Sequence, residues 1–172
     1  MPTNRYLGVS STGQPTEVVP AITSSGAASA GQIIALNAAG ALDATMLPSG
    51  VGATAVTAAA TAAISAGMAI NVYSNAGVLS VRPADNTAVG SEANGYAPSA
   101  IASGASGTVN LGEGLINGLS GIVVGTNYFL GTVGAFTATV PATAGNLIQY
   151  CGKGMSTTEL LFIPSTFTVV VA

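Results

Sequence analysis

From Gly67 to the C-terminus the sequence breaks into short apolar runs, each closed within a few residues by Gly, Asn, Pro or Ser. Punctuation this frequent leaves little room for helices of ordinary length, about 11 residues, but suits strands joined by tight turns. MAINVYS and GVLSVRP flank a turn at Ser74 to Gly77, and both alternate large apolar with small or polar residues. That period-2 pattern is the signature of a hairpin with one buried face. GYAPSAI, GTVNLG, IVVG, NYFLG, AFTATV, LIQYCGKGM, TELLFI and FTVVV continue the series. About ten such strands without helices between them predict an all-β domain over residues 67–172, an antiparallel β-sandwich or barrel of jelly-roll-like kind. Aromatic residues Tyr73, Tyr96, Tyr128, Phe129, Phe136, Tyr150, Phe162 and Phe167 fall on these runs and mark its core.

Residues 1–66 read differently. VSSTGQPTEVVPAITSSGAASAGQ is rich in small and polar residues, with its large apolar side chains isolated. Such a segment buries too little to offset its ordering entropy alone, so it is expected to be an extended arm that gains order by lying on another chain. One compact signal interrupts it, GQIIALNAAGALDATMLPSGVG at residues 31–52. Ile33, Ile34 and Leu36 form a strand-like run, Asn37 to Gly40 supplies a turn, and Asp43 is placed to cap a short helical turn that Pro48 ends. Leu36, Leu42, Met46 and Leu47 then need a surface, either a local mini-core or a partner. The arm's poverty in large residues favours the partner. TAVTAAATAAISAG follows as a connector, helical by alanine propensity or extended.

The composition narrows the chemistry. Only nine of 172 residues are charged, histidine and tryptophan are absent, and Cys151 is the single cysteine. Ser/His/Asp and Cys/His catalysis are impossible without histidine, and no zinc set exists, so neither a metal nor a cofactor is expected. Cys151 lies in a strand-like run, which favours a buried inert thiol over a nucleophile. Asp43, Asp85, Glu92, Glu113 and Glu159 are formally available for two-carboxylate hydrolysis but are scattered, mostly beside turn residues. Arg82-Pro83-Ala84-Asp85-Asn86 reads as a turn closed by the Asp85 side chain, in preference to an ion pair between subunits. Gly50-Val51-Gly52 and Gly152-Lys153-Gly154 lack the spacing of phosphate loops and read as turns.

Three basic residues against six acids cannot neutralise a run of phosphates, so nucleic acid is excluded as a partner. The mean hydropathy of +0.61 comes largely from alanine, and no window sustains the roughly 20 strongly apolar residues of a spanning helix, so no membrane partner is expected. The first residues, MPTNRYLGVSSTGQ, show no secretory signal pattern, and synthesis in a cytoplasm is expected.

The 31–52 segment resembles a motif near the N-terminus of many tailed-phage virion proteins, G-x-I-V-x-L-N-x-x-G-x-L-D-x-S-M-L-P, matched by Leu36, Asn37, Gly40, Leu42, Asp43, Met46, Leu47 and Pro48. AGMAINVYSNAGVLSVRPAD, NGYAPSAIASGASGTVNLGEGLINGLSG and GTNYFLGTVGAFTATVPATAGNLIQYCGKGMSTTELLFIP resemble the β-domain of phage capsid decoration (cement) and head-fibre proteins. The resemblance implies a homotrimeric structural protein of the virion, made in the host cytoplasm and bound to the outer capsid surface. There it would stabilise contacts between major capsid protein subunits. The alternative it implies is a head- or tail-fibre protein that attaches to a host receptor. Candidate capsid or subunit contacts are Ile33, Ile34, Leu36, Leu42, Met46, Leu47 and Pro48.

Overall fold

The computed structural model describes residues 5–36, 40, 42, 46 and 54–172. They build two compact units, Met1–Val51 and Gly52–Ala172. The fold is all-β, and among the described residues no helix is long and apolar enough to cross a membrane.

In the first unit, β1 (Tyr6–Val9) and β2 (Pro15–Val18) form an antiparallel hairpin with Tyr6 opposite Val18 and Val9 opposite Pro15. The loop between them closes because Ser10 N donates to Gln14 O at 2.9 Å and Gly13 N donates to Ser10 O at 2.9 Å. Gly13 takes the left-handed conformation, φ +79°, which glycine adopts without steric cost. A 3-10 turn follows at Gly26–Ser29. The expected strand at Ile33 to Leu36 amounts to one parallel bridge, Ala21 to Ile34. Asn37, Asp43, Leu47 and Pro48 lie outside the described residues, so the expected turn and cap are not among the features seen; Met46 itself has 3-10 conformation.

The second unit opens on a closed five-stranded barrel of β3 (Thr54–Ala60), β5 (Val78–Pro83), β4 (Ala69–Asn75), β6 (Gly95–Tyr96) and β7 (Ser106–Leu111), in that spatial order. The first half of the Ala-rich stretch expected as a connector is therefore a barrel strand, with Thr54 to Ala59 paired with β7 from Thr54↔Leu111 to Ala59↔Ser106. Ala58 and Ala60 point inward with Val56, and a barrel of so few strands has room for little more than a methyl at such positions. Ile64, Ile70, Val81, Ala97, Ile101 and Val109 complete the interior. Closure uses one parallel pairing, β3 with β5, in a barrel otherwise antiparallel. The predicted β4–β5 hairpin is present, with Asn75 opposite Val78. Its two turn residues, Ala76 and Gly77, both have positive φ (51° and 84°), as a type I′ turn requires.

The rest of the unit is an antiparallel sheet ordered β10 (Phe136–Thr137), β9 (Asn127–Leu130), β12 (Tyr150–Gly154), β13 (Leu160–Phe162) and β8 (Gly114–Ile116), plus a ribbon of β11 (Leu147–Ile148) and β14 (Val169–Val170). Between Tyr150 and Gly152 the β12–β9 register shifts by a bulge that contains Cys151. Gly152 is required there, since its φ of +147° and its close approach to the Leu161 carbonyl leave no place for a Cβ. A second core joins barrel and sheet: Ala69, Ala84, Ala93 and Tyr96 pack with Ile116, Leu130, Cys151 and Phe162. Phe162 is wholly buried at its centre, edge-on to Tyr96 at 5.7 Å and to Phe136 at 5.9 Å.

Three further expectations fail, and the first is Gly152-Lys153-Gly154, read as a turn but part of strand β12, paired with Phe162, Leu161 and Leu160. IVVG is a loop that exposes Val123 and Val124, because Gly121 and Gly125 turn the chain on either side with φ of 72° and 77°. Phe167, expected in the core, is 85% exposed and lies outside the paired strands.

Candidate functional site

The first unit displays apolar side chains where a self-sufficient domain would bury them. Leu7 and Val9 project from one face of β1 at 75% and 76% exposure, and Ile22, Ile33, Ile34 and Leu36 are each more than half exposed. Backbone bonds fix the Ile33–Ala35 stretch: Ala21 N donates to Ile33 O and Ala35 N donates to Ala21 O, both at 2.9 Å. Of the predicted contact residues, Ile33, Ile34, Leu36 and Leu42 are exposed, Met46 is half-buried, and Leu47 and Pro48 lie outside the described residues. Sequence reading missed Leu7 and Val9. Their signal was present in the alternation of YLGV and PTEV around SSTGQ. The described charges of this unit are Arg5 and Glu17, paired with each other at 3.2 Å on the hairpin.

The polar chemistry of the second unit gathers around Asn71 and Gln149. Asn71, buried, donates from Nδ2 to Glu92 O at 2.9 Å and to Asn94 Oδ1 at 3.2 Å, and its Oδ1 accepts from Arg82 Nε at 3.0 Å. Arg82 also donates to Gly90 O at 3.0 Å and lies 4.6 Å from the centroid of the Tyr73 ring. It is thus engaged within its own chain. Asp85 closes the expected turn: Oδ1 accepts from Thr87 N at 2.9 Å and Thr87 Oγ1 at 2.7 Å, while Oδ2 accepts from Val133 N at 3.2 Å. Burial pushes the Asp85 carboxyl up, but these three donors outweigh it and hold the group below the usual carboxylate range.

Folding brings Glu92 and Glu113 to one open cleft of about 490 Å³, floored in part by the buried Gln149 and edged by Asn94, Thr166 and Thr168. The two acids were scattered in the sequence. Glu92 is half-buried and accepts from Gly90 N at 3.1 Å, and Glu113 is exposed. A carboxylic proton donor is normally prepared by enclosure in an apolar pocket, and this cleft encloses neither side chain in that way. Cys151 is fully buried, and burial pushes its thiol up to about 12. That is the inert state expected from its strand position. Among the described residues no three His, Cys, Asp or Glu side chains converge on a metal position.

No protein-family model matches the chain, and no curated protein matches it. Among solved structures it is similar to the head fiber gp8.5 N base in bacteriophage phi29, with 16% identity and a TM-score of 0.46, over 67% of this chain and 96% of that one.

Proposed function

We propose that this chain is a structural protein of a tailed-phage virion, a capsid decoration protein whose first unit docks on the major capsid protein at the outer surface of the head. The observation that carries the reading is the set of exposed apolar side chains in that unit, Leu7, Val9, Ile22, Ile33, Ile34 and Leu36, against one ion pair among its described residues. Large apolar side chains left exposed together in so small a unit favour an interaction surface. The motif resemblance of residues 31–52 supports the same location, because the matched Leu36, Leu42 and Met46 belong to this unit.

A cement function needs burial rather than reactive groups. A contact of about 1,600 Å² is a standard specific interface, and a homotrimer engaging three such sites gains avidity of about 100-fold or more. Undecorated heads incubated with the purified protein are expected to acquire it in stoichiometric amounts and to survive heating better. Ile34→Asp together with Leu36→Asp is expected to abolish binding while the second unit stays folded. Failure of the unmodified protein to bind heads, or full binding by the double variant, overturns the proposal. Counting copies per virion separates a cement protein, present in many tens, from a receptor-binding fibre present in few.

A further inference from the structure

Of the chain's asparagines only Asn94 and Asn117 precede a glycine, Gly95 and Gly118. A glycine N–H has no Cβ beside it, so where the backbone is free to turn it can reach the side-chain carbonyl carbon of the residue before it. Folding treats the two pairs in opposite ways. Asn94 is clamped: its Oδ1 accepts from Val72 N at 2.8 Å and from Asn71 Nδ2 at 3.2 Å, its N donates to Ile70 O at 2.8 Å, and its O accepts from Gly112 N at 2.9 Å. Gly95 lies in β6 between β4 and β7, opposite Ile70 and Leu111. Asn117 is the first residue beyond β8 and is exposed, and among the described residues no hydrogen bond holds its side chain or the Gly118 N–H. Gly118 is exposed too, with φ +78° and open space where a Cβ would stand.

We propose that Asn117 is a site of spontaneous deamidation in the folded protein, ageing to isoaspartate and aspartate, while Asn94 stays intact. Gly118 N loses its proton to solvent and attacks Asn117 Cγ; the new C–N bond closes a cyclic imide as the Cγ–Nδ2 bond breaks and ammonia leaves. Water then opens the ring. Attack at Cγ gives aspartate, and attack at the main-chain carbonyl carbon of Asn117 gives isoaspartate, whose chain runs through the former side chain. Either product adds one negative charge to a chain of net charge -3. The isoaspartyl product also lengthens the main chain by a methylene just before Leu119. That residue packs against both core clusters of the sheet and donates from its N to Thr158 O at 3.0 Å, so the added length loosens a joint of the fold.

The test incubates the full chain in warm, mildly alkaline buffer made with heavy-oxygen water, folded in one arm and denatured by guanidinium in the other. A glutamate-specific protease then cuts after Glu92, Glu113 and Glu159, which leaves Asn94 and Asn117 on separate peptides for mass spectrometry. Folded Asn117 is expected to convert, with uptake of solvent oxygen, at a rate comparable to the denatured arm, because nothing has to open first. Folded Asn94 is expected to convert at least about ten-fold more slowly than in the denatured arm, since its bonds must break before the ring can close. Asn117→Gln, whose longer side chain closes a ring far less readily, is expected to remove the acidic form that anion exchange separates from the starting protein. The proposal is overturned if Asn117 survives a folded incubation that converts it in the denatured arm, if folded Asn94 converts as fast as Asn117, or if Asn117→Gln leaves the acidic form in place. It is equally overturned if the purified isoaspartyl form unfolds at the same urea midpoint as the starting protein.

Discussion

The side-chain amide of Gln149 pairs with the backbone of Ala93 in both directions, accepting from Ala93 N at 2.7 Å and donating to Ala93 O at 3.0 Å. Two positions 56 residues apart are thereby joined as adjacent strands would be. Gln149→Ala leaves these groups and Ser165 O without their partner inside the protein, at a cost of about 3 kcal/mol. A urea titration is expected to show the midpoint falling with an unchanged slope. Gln149→Glu keeps the acceptor but sets a carboxylate against two carbonyl oxygens, and is expected to destabilise at least as much at neutral pH.

Ala76 holds a left-handed conformation, φ 51°, in the β4–β5 turn. A Cβ there costs about 1 kcal/mol relative to a residue suited to it. Ala76→Asn creates the Asn-Gly pair that type I′ turns prefer, so it is expected to raise the thermal midpoint by a few degrees. A calorimetric scan that shows no gain or a loss would contradict this account of the turn.

The Asp85 carboxyl is held low in the fold by Thr87 and Val133. Its contribution to stability is therefore complete above the unfolded value, about 3.9, and disappears as the pH falls through the lower folded value. Asp85→Asn is expected to be less stable than the unmodified protein at pH 7, with the gap narrowing steadily on acidification below pH ~4. Unfolding curves for both proteins across that range measure the gap.

The thiol of Cys151 behaves in the opposite sense. Burial raises it to about 12, so its contribution is complete below the unfolded value near 8.5 and is lost as the pH rises toward the folded one. Stability is expected to decline between about pH 8.5 and 10 more steeply than in Cys151→Ala. A chromogenic thiol reagent is expected to modify Cys151 only after denaturant is added.

The strand class and the β4–β5 hairpin were legible because large apolar residues alternate there, as in Ile70, Val72 and Val81. β3 was not, because alanine serves inside and outside alike and carries a helical preference, so Ala58 and Ala60 look the same as Ala59. Val123 and Val124 misled in the other direction: β-branched residues suggest a strand, but the flanking glycines place them in a loop. The exposure of Ile33, Ile34 and Leu36 followed from the shortage of large neighbours. The cleft did not, since Glu92, Glu113 and Gln149 meet only through the pairing of strands distant in sequence.

The alanines lining the barrel have a thermodynamic consequence. Ordering a buried leucine or isoleucine forfeits about 0.5–1 kcal/mol of rotamer freedom, whereas alanine has none to forfeit. Ala58, Ala60 and Ala97 therefore fill the interior without that loss. The same economy restricts what those positions can become over evolutionary time: a larger side chain would have to push strands apart, and glycine would leave a gap beneath them.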